Sequence, residues 1–101
     1  MSSDQEWIGV DLDGTLAKYD GWKGPDVIGA PIPKMVARVQ RAIGRGSNIK
    51  IFTARVAGDN DGVARRAIRK WCRLHLGLEL PVTCVKDRHC REIWDDIAKK
   101  V

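Results

Sequence analysis

The sequence predicts one α/β domain with a mostly parallel sheet. Three short apolar segments, near residues 7–12, 49–53 and 81–85, are bounded by polar residues, as buried parallel strands are. Two longer segments, 33–43 and 63–76, repeat their apolar residues at helical spacing. Strands that alternate with helices favour right-handed parallel crossovers. The 101 residues contain no internal repeat, so we expect the whole chain to form a single domain.

The composition favours an anionic partner. The net charge is +5, and the 18 Lys and Arg residues are spread along the chain. We expect a phosphorylated small molecule as substrate, with a nucleotide or a nucleic-acid end as candidates. No segment approaches the roughly 20 apolar residues of a membrane span and no secretion signal opens the chain, so we expect no membrane contact and a cytoplasmic location. The three cysteines favour reduced thiols over a disulfide framework or a zinc site. The sequence does not indicate an oligomeric state.

The first strand, Trp7 to about Leu12, leads into a long loop. Residues 17–32 are rich in glycine and proline, and loops of this length inside compact domains are usually functional or disordered. Tyr19 and Trp22 lie in this loop. They either stack on a substrate ring or pin the loop to the domain, and pinning is favoured because exposed loops need such anchors.

Local signals set the boundaries of both helices. Pro33 opens the first helix because its missing N–H is harmless there, and Gly44 or Gly46 ends it. Asp59 or Asp61 is a suitable cap for the second helix. The residues expected to face the core are Ile32, Met35, Val36, Val39, Ala42 and Ile43 in the first helix, and Ala64, Ala67, Ile68, Trp71, Cys72 and His75 in the second.

The end of the chain is shorter and more polar. A third strand covers about 81–85, and a polar connection leads to a last strand near 91–94. Asp95 and Asp96 close that strand, and residues 97–101 form a short tail.

Two carboxylates, Asp11 and Asp13, stand at the end of the first strand. Residues i and i+2 of a strand point the same way, so both carboxylates leave the carboxyl edge of the sheet, where open α/β sheets bind ligands. Like charges this close require a cation between them or a protonated carboxyl. The pair therefore predicts a hard cation with oxygen ligands and different roles for the two acids. Gly14 permits the sharp turn that follows.

Each later strand also ends in a residue that can carry chemistry. Thr53 ends the second strand, Lys86 lies near the end of the third, and Asp95 and Asp96 follow the fourth. A parallel sheet gathers these ends above one crevice. A carboxylate nucleophile, a hydroxyl, an ammonium and further carboxylates together suit Mg²⁺ and a phosphoryl group.

These residues resemble the motifs of the haloacid dehalogenase superfamily of phosphohydrolases. The DLDGT segment that begins at Asp11, Thr53 in IFTAR, Lys86, and the two aspartates of IWDD match its four motifs in order, over most of the chain. The resemblance implies a Rossmann-like three-layer sandwich with helices on both faces of the sheet. The gaps after Thr15 and Thr53 are too short for an inserted cap domain, so we expect a minimal, capless member.

The resemblance implies a phosphatase that works through an aspartyl-phosphate. Asp11 attacks phosphorus, while Asp13 protonates the leaving oxygen and then activates the water that hydrolyses the intermediate. Asp13 must therefore hold a proton at the outset. Mg²⁺ is held by Asp11, the main-chain carbonyl of Asp13, and Asp95 or Asp96.

The same resemblance assigns the phosphate contacts. Thr53 and the backbone N–H groups near Leu12 and Ala54 bind phosphoryl oxygens, and Lys86 offsets the charge of the phosphate and the nucleophile. Arg55, which follows directly, either grips the leaving group or caps the next helix.

Other classes of protein share some of these features. Response-regulator receivers also combine acids, a Thr and a Lys on a parallel sheet, but their adjacent acid pair comes early in the chain and here it comes last. The chain could also be a catalytically silent binding module, or a phosphatase whose site an oligomeric partner completes. A nucleic-acid substrate predicts affinity that falls steeply with salt.

Overall fold

The computed structural model describes residues 6–95 as a four-stranded sheet with two α-helices. The strand order is β3-β2-β1-β4, and every neighbouring pair is parallel. The predicted α/β class with a parallel sheet is therefore confirmed, and the predicted tail lies outside the described residues. The elements are β1 (Trp7–Asp11), α1 (Pro33–Gly44), β2 (Ile49–Phe52), a 3₁₀ turn (Ala54–Val56), α2 (Val63–His75), β3 (Val82–Thr83) and β4 (Cys90–Trp94).

One face of the sheet carries the hydrophobic core. Val10 of β1 pairs with Ile51 of β2 and with Trp94 of β4, and all three side chains are buried. Alternation along each strand sends every second side chain to this face. The helices cover it with the predicted stripes, whose buried members are Met35, Val39 and Ala42 in α1 and Ala64, Ile68, Trp71 and Cys72 in α2.

Both helices pack on that same face, so residues 6–95 form two layers. Their buried side chains join a single cluster with those of β1 and β2. The expected three-layer sandwich with helices on both faces is wrong for this part of the chain. Right-handed crossovers that step in one direction, as β1-α1-β2 and β2-α2-β3 do, place their helices on one side. The return step to β4 has only residues 84–89 and contains no helix.

The opposite face is covered in part by Trp7 and the 84–89 connection. The Trp7 side chain is buried, and its indole N–H donates to the Asp87 carboxylate over 2.9 Å. The Lys50 ammonium lies 4.6 Å from the centre of the Trp7 ring. A single tryptophan and a short loop thus cover a region of the sheet where a helix was expected.

The helix boundaries follow the predicted local signals. α1 begins at Pro33. Before α2, the Asp59 carboxylate accepts hydrogen bonds from the backbone N–H groups of Ala64 and Arg65, each over 3.0 Å. These bonds satisfy N–H groups that the first helical turn leaves without partners. Within the described range, no helix combines the length and the apolar character that crossing a bilayer requires.

Candidate functional site

The carboxyl ends of three neighbouring strands bring Asp11, Thr53 and Asp95 together. Asp11 ends β1 opposite the last residue of β2, so Thr53 follows at the same level. The residue before Asp11 pairs with the last residue of β4, and Asp95 follows on that side. The edge of the sheet therefore presents a carboxylate, a hydroxyl and a second carboxylate side by side.

A tight turn after β1 turns the chain back beside this edge. The Leu12 carbonyl accepts hydrogen bonds from the N–H groups of Thr15, Leu16 and Ala17, over 3.3, 3.0 and 2.9 Å. Gly14 has a φ of 86°, a value that side chains rarely adopt, which explains the glycine in this turn. Because the Leu12 side chain is fully buried, the turn starts from a fixed point in the core.

Asp11 is a half-buried carboxylate whose pKa is raised. Burial is the largest cause and raises the pKa. A hydrogen bond from the Leu12 N–H to the carboxylate lowers the pKa, and the negative charges of Asp95 and Asp13 raise it. The resulting pKa of Asp11 is about 6. Asp95 therefore lies close enough for charge repulsion. The raised pKa thus belongs to Asp11, the expected nucleophile.

Arg55 forms a two-point ion pair with Asp13. Its Nε donates to Oδ2 and its Nη2 to Oδ1, each over 2.8 Å. The side chain of Arg55 is 4% exposed and that of Asp13 is 22% exposed, so water screens the pair weakly. Arg55 was expected either to grip the leaving group or to cap the next helix, and the pairing with Asp13 is neither of these. The two residues are 42 positions apart, and nothing in the local sequence pattern links them.

Arg55 also holds the long loop after β1, named here the 18–30 loop. Its Nη1 donates to the carbonyls of Gly24 and Pro25, each over 3.2 Å, and its guanidinium carbon lies 4.9 Å from the centre of the Trp22 ring. Gly24 has a φ of 124°, so the position of its carbonyl depends on glycine. The glycine content of the loop was the only signal in the sequence for this arrangement.

Two further contacts fix the base of the 18–30 loop. The Lys18 N–H donates to the Ala30 carbonyl over 2.8 Å, and the indole N–H of Trp71 on α2 donates to the Gly29 carbonyl over 2.9 Å. A Cβ added at Gly29 would clash with the Lys18 carbonyl oxygen. The loop is therefore held closely against the domain at its base as well as at Arg55.

The two aromatic residues of the loop are about half exposed to solvent. Tyr19 is 48% and Trp22 is 59% exposed, so most of the expected pinning falls to the contacts just described. Both aromatic side chains line an open cleft of about 510 Å³. The other residues that line this cleft are Asp11, Asp13, Thr53, Ala54 and Arg55.

Thr53 is a buried polar residue at the floor of the cleft. Its hydroxyl oxygen accepts a hydrogen bond from the Arg55 backbone N–H over 3.2 Å, which starts the 3₁₀ turn after β2. A hydroxyl that accepts one hydrogen bond can also donate one, so Thr53 is able to offer its proton to an anion.

Three predicted site residues of the described range, Leu12, Lys86 and Asp95, are not among those that line the cleft. Lys86 is exposed, and because β3 ends at Thr83, it lies on the 84–89 connection rather than at a strand end. Asp96 lies outside the described residues. Leu12 takes part through its backbone N–H, which bonds the Asp11 carboxylate.

The donors around Asp11 fit the expected Mg²⁺ in type. Asp11 and Asp95 carry like charges that repel, and hard cations prefer carboxylate and carbonyl oxygens. Within residues 6–95, no three His, Cys, Asp or Glu side chains form a group that could hold a metal ion. The Asp13 carboxylate is occupied by Arg55. A site for Mg²⁺ would therefore consist of two carboxylates and the main-chain carbonyl of Asp13, with water as further ligands.

Known proteins resemble this chain in fold. No protein-family model matches the sequence, and no curated protein matches it either. The solved structure of a conserved protein from Bacteroides thetaiotaomicron is similar, with a TM-score of 0.61 and 23% sequence identity. The match covers 88% of this chain and 74% of that one. The similarity supports the α/β architecture and says nothing of the activity.

Proposed function

We propose that this chain is a magnesium-dependent phosphomonoesterase of the haloacid dehalogenase type, with Asp11 as its nucleophile. The observation that carries the proposal is the meeting of Asp11, Thr53 and Asp95 at three neighbouring strand ends. Asp11 and Thr53 open into the same cleft as Asp13. A carboxylate, a hydroxyl and a second acid at one sheet edge are parts that phosphoryl transfer through a covalent intermediate requires.

The reaction proceeds in two steps on Asp11. An Asp11 carboxylate oxygen bonds to phosphorus as the bond from phosphorus to the leaving oxygen breaks, and Asp13 gives that oxygen a proton. The products are an aspartyl-phosphate and an alcohol. A water oxygen then attacks phosphorus, Asp13 takes the water proton, and Asp11 is released with inorganic phosphate.

The ion pair with Arg55 constrains what Asp13 can do. Both Asp13 oxygens accept hydrogen bonds from the guanidinium, so at least one of these bonds must open before Asp13 carries a proton. Arg55 is also a cation that lines the cleft, whereas Lys86 lies on the surface. We therefore assign to Arg55 the charge compensation that the sequence assigns to Lys86.

The remaining residues at this edge of the sheet would hold the metal and the phosphoryl group. Asp11, Asp95 and the Asp13 carbonyl would hold Mg²⁺, which when bound offsets the negative charge of the nucleophile and the phosphate. Thr53 and Ala54, which line the cleft, are assigned the phosphoryl oxygens. The Leu12 N–H, already bonded to Asp11, orients the nucleophile.

The experiment is phosphate release from p-nitrophenyl phosphate and from a panel of phosphate monoesters. We expect turnover that requires Mg²⁺, is abolished by EDTA, and is lost in Asp11→Asn. Glu79→Gln, which removes a negative charge on the surface, is the matched control and should keep its activity. Turnover that persists in Asp11→Asn purified by the same procedure would identify a contaminating phosphatase and contradict the proposal.

One alternative is favoured by the same ion pair. If Arg55 does not release Asp13, the cleft can bind a phosphoryl group without turning it over, as a silent binding module does. Inorganic phosphate would then bind to a protein that hydrolyses none of the monoesters. Calorimetric titration with phosphate, beside the turnover assay, distinguishes the two functions.

A further inference from the structure

Two aromatic side chains at the mouth of the cleft have no part in the chemistry assigned so far. Tyr19 and Trp22 are about half exposed, although the 18–30 loop that carries them is held by other contacts. Large aromatic side chains usually bury most of their surface, and exposed ones beside a cleft are typical of ligand contacts.

Arg55 contacts both Trp22 and Asp13, the acid proposed to protonate the leaving group. The guanidinium holds the Asp13 carboxylate and lies against the Trp22 ring, 4.9 Å from its centre. Trp22 is therefore separated by the Arg55 guanidinium from the acid that would protonate the leaving oxygen. A leaving group that extends away from Asp13 along this wall of the cleft would meet the exposed aromatic rings.

We propose that Tyr19 and Trp22 form a stacking subsite for the leaving group, and that the substrate is a phosphate monoester of a planar ring compound. The proposal rests on the proposed phosphatase function and adds the substrate class. A nucleoside monophosphate and a simple aryl phosphate share the required chemistry, a flat ring in the leaving group, and the experiment includes both. Stacking suits such ligands because every ring presents a π-face, whatever its substituents.

The loop is built to hold Trp22 in place. Gly24 carries a left-handed φ two residues after Trp22, and its carbonyl is bonded to Arg55. A ring fixed in this way loses little conformational freedom when a ligand stacks on it, which favours binding. The cleft volume of about 510 Å³ lies within the usual range for small-molecule sites.

A fluorescence experiment tests the subsite without turnover. The exposures of Trp7, Trp71 and Trp94 are 3%, 6% and 8%, so Trp22 is the tryptophan that acrylamide reaches most easily. We expect adenosine to reduce acrylamide quenching in the wild type, with ribose as the control that lacks a ring system. The reduction should disappear in Trp22→Leu. Equal quenching with and without adenosine in the wild type would overturn the subsite.

A kinetic experiment tests the substrate class. Turnover of adenosine 5′-monophosphate and p-nitrophenyl phosphate is compared with that of ribose 5-phosphate. In Trp22→Leu, the ratio of the KM for each ring ester to the KM for ribose 5-phosphate should rise about tenfold, and Trp22→Phe should restore most of the difference. A rise in the KM ratio for only one ring ester identifies which class of ester, nucleoside monophosphate or aryl phosphate, the subsite prefers. An unchanged ratio for both would overturn the proposal.

The two experiments separate this inference from the function on which it rests. Protection of Trp22 by adenosine in a protein that hydrolyses no ester would overturn the phosphatase function and support the subsite. Turnover lost in Asp11→Asn, with no effect of Trp22→Leu on the KM ratios, would support the function and overturn the subsite. Tyr19→Leu should change the ratios in the same direction as Trp22→Leu.

Discussion

The Arg55 guanidinium grips the Asp13 carboxylate at both oxygens, with two hydrogen bonds of 2.8 Å. The same guanidinium bonds the carbonyls of Gly24 and Pro25, so one side chain joins the strand-end acid to the 18–30 loop. Because the Arg55 side chain is almost entirely buried, its charge depends on these partners for compensation.

Arg55→Lys should destabilise the protein by about 2 kcal/mol, because an ammonium cannot reproduce a bidentate pair and also reach two carbonyls. Urea denaturation of the two proteins measures the change. Arg73→Lys is the matched control: Arg73 pairs with Glu79 on the surface, and the loss there should be below about 0.5 kcal/mol. Equal losses in both variants would show that the buried pair contributes no more to the free energy of unfolding than the surface pair does.

Asp11 should make the metal-free protein less stable as pH rises. Its folded-state pKa, about 6, lies above the ordinary value of 3.8, so the folded state binds the proton more tightly than the unfolded state. The resulting stabilisation is complete below about pH 4 and is lost as pH rises through about 6. After allowance for partial solvent screening, the loss is on the order of 1–2 kcal/mol.

Asp11→Asn provides the measurement for that pH dependence. The variant cannot ionise at position 11, so in EDTA it should match the wild type near pH 4 and exceed it in stability above about pH 7. Thermal unfolding of both proteins across this range shows the difference. A constant difference between the two curves would mean that position 11 does not titrate in this window.

Mg²⁺ should stabilise the wild type through Asp11 and Asp95. A ligand at a hundredfold excess over its Kd adds about 2.7 kcal/mol to the free energy of unfolding. Asp95→Asn should remove most of the Mg²⁺-dependent increase in Tm, whereas Glu79→Gln should keep it. If Asp95→Asn gains as much from Mg²⁺ as the wild type does, Asp95 is not a ligand.

Gly29→Ala should destabilise the base of the 18–30 loop by about 1–3 kcal/mol, because the added Cβ meets the Lys18 carbonyl oxygen. Gly58→Ala is the control, since a Cβ there meets nothing within 4 Å and its φ is not left-handed. We expect Gly58→Ala to change stability by less than about 0.5 kcal/mol in the same urea titration. Similar effects in both variants would contradict the close packing at Gly29.

The elements that local sequence determines were predictable. Pro33 begins α1, the apolar stripes of both helices face the core, and Asp59 caps α2, because each depends on residues a few positions apart. The parallel sheet followed from the alternation of these elements. Asp11 and Thr53 were placed at strand ends by the same local patterns, and the structure brings them together.

The features that could not be predicted depend on distant residues or on the path of a connection. The pairing of Arg55 with Asp13 joins residues 42 positions apart, and only the fold brings them together. The helices expected on the second face came from the family resemblance, while the chain offers only residues 84–89 for that crossover. The third strand was expected to reach residue 85, next to Lys86, but β3 ends at Thr83, so Lys86 lies three residues beyond the strand.

β4 is an edge strand of the sheet, and this position has a consequence for ion binding. Among the described strands, β4 pairs with β1 alone, and its register shifts beside Trp7 and Ile8. Edge strands open locally at a lower free energy than central strands do, and their amide hydrogens exchange sooner. If Asp95 is a ligand, every such opening releases the ion. Ion affinity and amide protection along Cys90–Trp94 would then rise and fall together.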